Sequence, residues 1–133
     1  MKDKGQHMWT LIILVLLAMF VAYLQFAPSD PNRWHQDVTG EQNADFAGGA
    51  LRIVEAELAD LDRVICESGG RVLAGSVEDG LITYISRTRI VGFPDYTTVQ
   101  RRGPQLAIYG RLRFGKSDLS VNRKRIEDWI SKL

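Results

Sequence analysis

Histidine and cysteine are almost missing from this 133-residue chain, which has two of the first and one of the second. Their scarcity excludes most metal and nucleophile chemistry. His7 precedes a long apolar stretch and His35 follows it, so no zinc or haem site can be assembled from the chain in any usual way. No metal and no cofactor are expected. A Ser-His-Asp set would have to run through His35, which is remote in sequence from every serine further along. Cys66 with His35 is a formal nucleophile pair, but a buried strand cysteine is the simpler reading. A lone cysteine also excludes an intrachain disulfide. The glycines supply no phosphate-binding loop, since Gly48-Gly49 and Gly69-Gly70 are isolated dipeptides. Glu78-Asp79 reads as a turn rather than a catalytic carboxylate pair, and no internal repeat or low-complexity tract is present.

Net charge is also small, +1 overall, so bulk electrostatics point to no nucleic acid or other polyanion. The distribution is uneven, however. Residues 41–67 hold seven acidic side chains against Arg52 and Arg63, while residues 87–125 hold ten basic ones against Asp95 and Asp118. Charge runs are usually solvated faces, and two opposite halves can attract each other within one domain.

What the sequence does have begins with Met8 to Ala27, twenty residues without a charge. A helix needs about 20 such residues to cross a ~30 Å hydrocarbon core. Trp9 and Tyr23 stand near its ends, where aromatic side chains favour the membrane interface. A cleaved signal peptide fits less well, because Tyr23, Gln25 and Phe26 leave no small-x-small cleavage pattern. The expectation is a retained anchor in contact with the lipid bilayer. Lys2 and Lys4 precede it and only Arg33 follows closely. The positive-inside rule then puts residues 1–7 in the cytoplasm and everything after Ala27 outside.

Residues 28–42 carry turn chemistry and no apolar period, and two prolines near their start suit a short semi-rigid tether. Trp34 and His35 stand out there, and such a tryptophan is expected to pin the tether to the domain edge. Residues 43–133 form the domain. Ala47, Leu51, Val54, Leu58 and Leu61 recur at helical spacing and predict a helix from about Asp45 to Leu61. Short strand-like runs follow at Arg63–Glu67, Arg71–Ala74, Leu81–Arg89 and Tyr96–Arg101, separated by Gly- and Pro-containing turns. Gln105–Phe114 alternates strictly, with Leu106, Ile108, Gly110 and Leu112 on one side and Ala107, Tyr109, Arg111 and Arg113 on the other. A closing helix runs from about Asp118 to Lys132. The predicted class is therefore α+β: a transmembrane helix, then a two-layer domain with a four- to five-stranded antiparallel meander and two helices packed on one face.

The closing helix carries the least easily explained residues. Asn122 sits on its apolar stripe, with Asp118 four residues before it and Arg125 three after, which makes one polar row. Arg87 on a neighbouring strand and Asp95 in the loop before Tyr96 are placed to extend that row. Arg87, Asp95, Asp118, Asn122 and Arg125 are thus the candidate ligand-binding residues, and no catalytic residue is assigned.

The motifs around these positions resemble a known family. Ser86-Arg87, then Phe93-Pro94-Asp95, then Ser117-Asp118-Leu119-Ser120-Val121-Asn122-Arg123-Lys124-Arg125 are similar to the ordered motifs of domain-of-unknown-function family 1499: an S-R strand, an F-x-D loop and an S-D-x-G-x-N-R-x-R helix start. Trp34-His35 resembles the W-H in the tether of bacterial membrane-anchored members. Ser120 departs from the pattern, standing at its glycine. The resemblance implies a fold and a location rather than a chemistry.

Three function classes follow. A non-catalytic, membrane-tethered module of the bacterial periplasm that binds an envelope protein or an anionic small molecule suits the arginines and the Asp-Asn-Arg row. An enzyme using Asp95, Asp118 and Arg87 in acid–base chemistry is the alternative. A nucleic-acid binder is disfavoured by the outward topology.

Overall fold

The computed structural model describes residues 2–89 and 91–133. The chain runs through α1 (Lys2–Phe26), α2 (Pro31–Trp34), β1 (Ala44–Phe46), β2 (Gly49–Glu55), α3 (Leu58–Glu67), β3 (Arg71–Ser76), β4 (Leu81–Arg87), β5 (Pro94–Arg102), β6 (Gln105–Leu112) and α4 (Val121–Ser131). One antiparallel six-stranded sheet has the order β1-β2-β6-β5-β4-β3. The α+β class is as predicted, with one or two strands more than the sequence suggests.

The additional strands lie where a helix was expected. Residues 45–61 form the β1–β2 hairpin and only the start of a helix, while residues 63–67, expected as a strand, complete α3. The helical spacing of Leu51 and Val54 is a coincidence of coverage. In β2, Gly49, Ala50 and Leu51 are all buried and Arg52, Ile53 and Val54 half-buried, because both sheet faces are covered there. A strand covered on both faces loses the period of two that identifies it. Gly48 supplies the hairpin turn, and Gly49 meets β6 so closely that a Cβ would stand 2.0 Å from the Gly110 carbonyl oxygen.

One face of the sheet packs against α3 and α4. Leu58, Leu61, Val64 and Ile65 of α3 and Ile126 and Trp129 of α4 close over Ala50, Ile82, Tyr84, Val99, Leu106 and Ile108. Side chains of this size contribute roughly 1.5–3 kcal/mol each when fully buried. Trp129 is 2% exposed, and its indole N–H donates to Ser68 Oγ at 2.9 Å. Cys66 is on the outer side of α3 and exposed, not buried in a strand; partial desolvation of its thiol and the nearby Asp62 carboxylate raise its pKa.

The other face is covered by residues 28–42, which link α1 to the sheet while lying across it. Trp34 stacks on Tyr96 with ring centroids 4.0 Å apart and 15° between planes. His35 Nδ1 pairs with Thr83 Oγ1 at 2.9 Å, and the Val38 amide donates to Gln100 Oε1 at 2.9 Å. Arg111 donates to the Trp34 carbonyl and to Thr98 Oγ1, with the Trp34 and Tyr109 rings 5.5 and 5.0 Å away. Arg102 reaches the carbonyls of Val38 and Gly40 in the same way. Several cations of the basic half thus hold covering backbone; the ion pairs that join the two parts of the domain among the described residues are Arg52–Glu127 at 3.0 Å and Arg123–Asp45 at 4.0 Å.

Candidate functional site

The polar row of the last helix is built by a turn the sequence half announces. The sequence predicts the helix from about Asp118, but the helical residues begin at Val121, after Leu119 and Ser120 in left-handed conformation (φ 53° and 65°). Asp118 still serves the helix end from that distance. Its Oδ1 accepts from the Ser120 amide at 2.9 Å, and its Oδ2 accepts from the Asn122 amide at 3.0 Å and from Asn122 Nδ2 at 2.9 Å. A carboxylate receiving the orphan N–H groups of a first turn is stabilised there by hydrogen bonding and by the helix dipole. The family pattern has glycine where Ser120 adopts its positive φ, which is the residue that takes this conformation most easily.

Asn122 is fully buried. Gly110 of β6 makes room for it: a Cβ at Gly110 would stand 3.0 Å from both Asn122 Oδ1 and Ile126 Cδ1. From beneath, Asn122 holds two neighbours at once. Its amide N–H₂ donates to Asp118, and its carbonyl oxygen accepts from Arg125 Nη1 at 3.2 Å. The same Nη1 donates to Asp95 Oδ2 at 3.1 Å, an ion pair whose side chains are 17% and 5% exposed. Burial raises the Asp95 carboxyl pKa; Arg125 opposes that shift and the Asp118 charge adds to it. The ion pair therefore falls short of offsetting desolvation, as is common for buried pairs.

Four of the five expected residues therefore converge: Asp95, Asp118, Asn122 and Arg125. Arg87 does not join them. Its neighbour Ser86 is paired with Asp95 and faces the helices, so Arg87 points to the opposite sheet face, as successive strand residues must. There its guanidinium donates to the carbonyls of Leu24, Gln25 and Gly92. Sequence reasoning missed this role because it depends on where the end of α1 lands.

Two cavities adjoin the Asp95–Arg125 pair. The first, about 370 Å³, is lined by Ser68, Gly69, Gly70, Ser86, Arg87, Arg89, Arg125, Asp128, Trp129 and Lys132; with the Arg87 guanidinium engaged on the other face, three cationic side chains accompany one carboxylate. The second, about 580 Å³, has Asp95 and Asp118 on its wall and is otherwise mostly apolar. Arg89 borders both. Among the described residues, no group of histidine, cysteine, aspartate and glutamate side chains is arranged to hold a metal ion. The enzyme alternative needs Arg87, Asp95 and Asp118 together, and these three do not line one cavity.

Among curated proteins, none matches the chain. A family profile does, over residues 23–133, and this span begins inside the last turn of α1 and takes in the covering segment, the sheet and the polar corner. The chain accordingly belongs to the family described as "Protein of unknown function (DUF1499)".

Proposed function

We propose that the protein is a non-catalytic, membrane-tethered module of the bacterial envelope, with its domain in the periplasm, that binds an anionic small molecule or the anionic group of a partner at the cationic cavity beside Arg125. The carrying observation is the composition of that cavity. Arg89, Arg125 and Lys132 border it together with the small residues Ser68, Gly69 and Gly70, and Asp128 is its one acid. Arg125 spends Nη1 on Asp95 and Asn122, which fixes its plane before any ligand arrives. A preoriented guanidinium binds carboxylate or phosphate at lower cost in side-chain entropy than a free one. α1 is long and apolar enough to cross a membrane, which supports the tether.

Thermal unfolding of the full chain in detergent tests this reading, with inorganic phosphate as the probe against chloride at equal ionic strength. Phosphate at about 100 times its Kd should stabilise by ~2.7 kcal/mol. The double variant Arg89→Ala/Lys132→Ala, exposed changes that spare the Asp95–Arg125 pair, should lose that response. If phosphate and chloride give the same melting curves for the parent protein, the anion site is wrong.

A further inference from the structure

The second cavity is an open groove beside the end of α1. Val91, Phe93, Leu112, Phe114, Leu119 and Val121 line it, and its volume of about 580 Å³ is within the range of small-molecule sites (~300–1,000 Å³). Its two carboxylates are already committed, Asp95 to Arg125 and Asp118 to the first turn of α4. The groove therefore offers a ligand mostly apolar contact. Leu119 at its rim is 81% exposed, an unusual state for a leucine in water beside other apolar side chains.

The position of the groove along α1 says which solvent it meets. Leu24 is fully buried against the domain, and Arg87 donates to the Leu24 and Gln25 carbonyls at 3.1 Å each. Gln25 Nε2 donates to the Val91 carbonyl at 2.7 Å, and Tyr23 meets the Phe114 ring edge-on at 6.1 Å. Val91 and Phe114 are both groove residues. The domain thus grips the helix at Tyr23–Gln25, before the uncharged run ends at Ala27. At about 1.5 Å per residue, this grip reaches roughly 5 Å inside the end of the apolar run. An apolar groove at that depth is continuous with the membrane interface rather than with bulk water.

We propose that this groove takes an acyl chain of a phospholipid from the bilayer that α1 crosses; the proposal rests on the reading of α1 as a retained anchor. Because Arg89 borders both cavities, an anionic headgroup in the cationic one and an acyl chain in the apolar one can belong to a single lipid molecule. That arrangement names the class of anionic ligand the first cavity serves: an amphiphile presented by the membrane.

The test uses the full chain reconstituted into phosphatidylcholine–phosphatidylglycerol vesicles, with a trace of phosphatidylglycerol carrying a diazirine near the end of one acyl chain. Irradiation and peptide mapping should find label on α1 and also on Val91, Phe93, Phe114 or Leu119. Val121→Trp, which fills the groove, should reduce the domain label about tenfold relative to that on α1, the loss expected when one apolar side chain's worth of contact is removed. Leu119→Asp, at an exposed position that folding does not need, should reduce it in the same direction. Label confined to α1 would overturn the acyl-chain site and leave the anchor standing. Absence of label from α1 would overturn the anchor and this site with it. Equal domain label in the parent protein and both variants would mean surface immersion without a groove, which also overturns the proposal.

Discussion

Replacing Asn122 with alanine removes the side chain that joins both halves of the polar corner. Asn122 is fully buried, donates to Asp118 at 2.9 Å and accepts from Arg125 at 3.2 Å. Both partners are ionised, and hydrogen bonds to charged groups contribute about 1.5–3 kcal/mol each. Asp118 keeps its two backbone donors and Arg125 keeps Asp95, so neither partner is wholly orphaned. The net cost should be about 2–4 kcal/mol. For a domain of about 100 residues this lowers the melting temperature by roughly 10–20 °C. Near-ultraviolet circular dichroism of the full chain in detergent follows the loss, because Trp34 and Trp129 are both buried in the domain. Lys124→Ala on the exposed side of the same helix is the control and should change stability by no more than about 0.5 kcal/mol. If Asn122→Ala melts within about 2 °C of the parent, the hydrogen-bonded corner does not stabilise the fold and the reasoning above fails.

Arg125→Met leaves the Asp95 carboxylate buried without its partner and should cost about 3–5 kcal/mol near neutral pH. Burial already raises the Asp95 pKa, and losing Arg125 raises it further. The folded state then holds the proton more tightly than the unfolded state, so stability is greatest below the unfolded carboxyl value and is lost as pH rises through the folded one. The deficit should therefore shrink on acidification, and a pH-independent deficit in thermal melts would contradict this. Trp34→Ala should destabilise by about 3–5 kcal/mol, since it removes a ring 9% exposed and stacked on Tyr96; a loss below ~1 kcal/mol in denaturant titration would show that residues 28–42 do not hold the sheet. Ser120→Gly relieves a left-handed serine at φ 65° and should be neutral or stabilising by up to about 1 kcal/mol, so a clearly lower melting temperature would mean the hydroxyl is needed. Finally, a reporter that is active only in the cytoplasm, fused after Leu133, should stay silent, and strong signal would reverse the proposed topology.

Composition alone identified α1 as a helix long and apolar enough to cross a membrane, because its twenty uncharged residues form one continuous run. Alternation alone identified β6, whose faces differ, and the i−4 and i+3 spacing around Asn122 placed Asp118 and Arg125 beside it without any tertiary information. Those features are local: one segment carries both the pattern and the consequence. The β1–β2 hairpin was illegible because the pattern of a strand reports how many of its faces are covered, and residues 28–42 cover the second one. Arg87 could not be placed for a related reason. The sequence puts it next to Ser86 but not on a face, and only the pairing of β4 with β5 turns Ser86 toward the helices and Arg87 toward α1. Cys66 followed the misread segment into the wrong element. The docking of Leu24–Gln25 onto Arg87 and Val91 left no sequence signal, since the Arg87 and Gln25 side chains donate to backbone carbonyls, which every residue possesses. Local pattern was enough for a long apolar N-terminal helix, an α+β domain and a polar row. Tertiary structure alone decided which face each arginine serves and how deep the domain sits on its helix, because both depend on contacts between segments far apart in the chain.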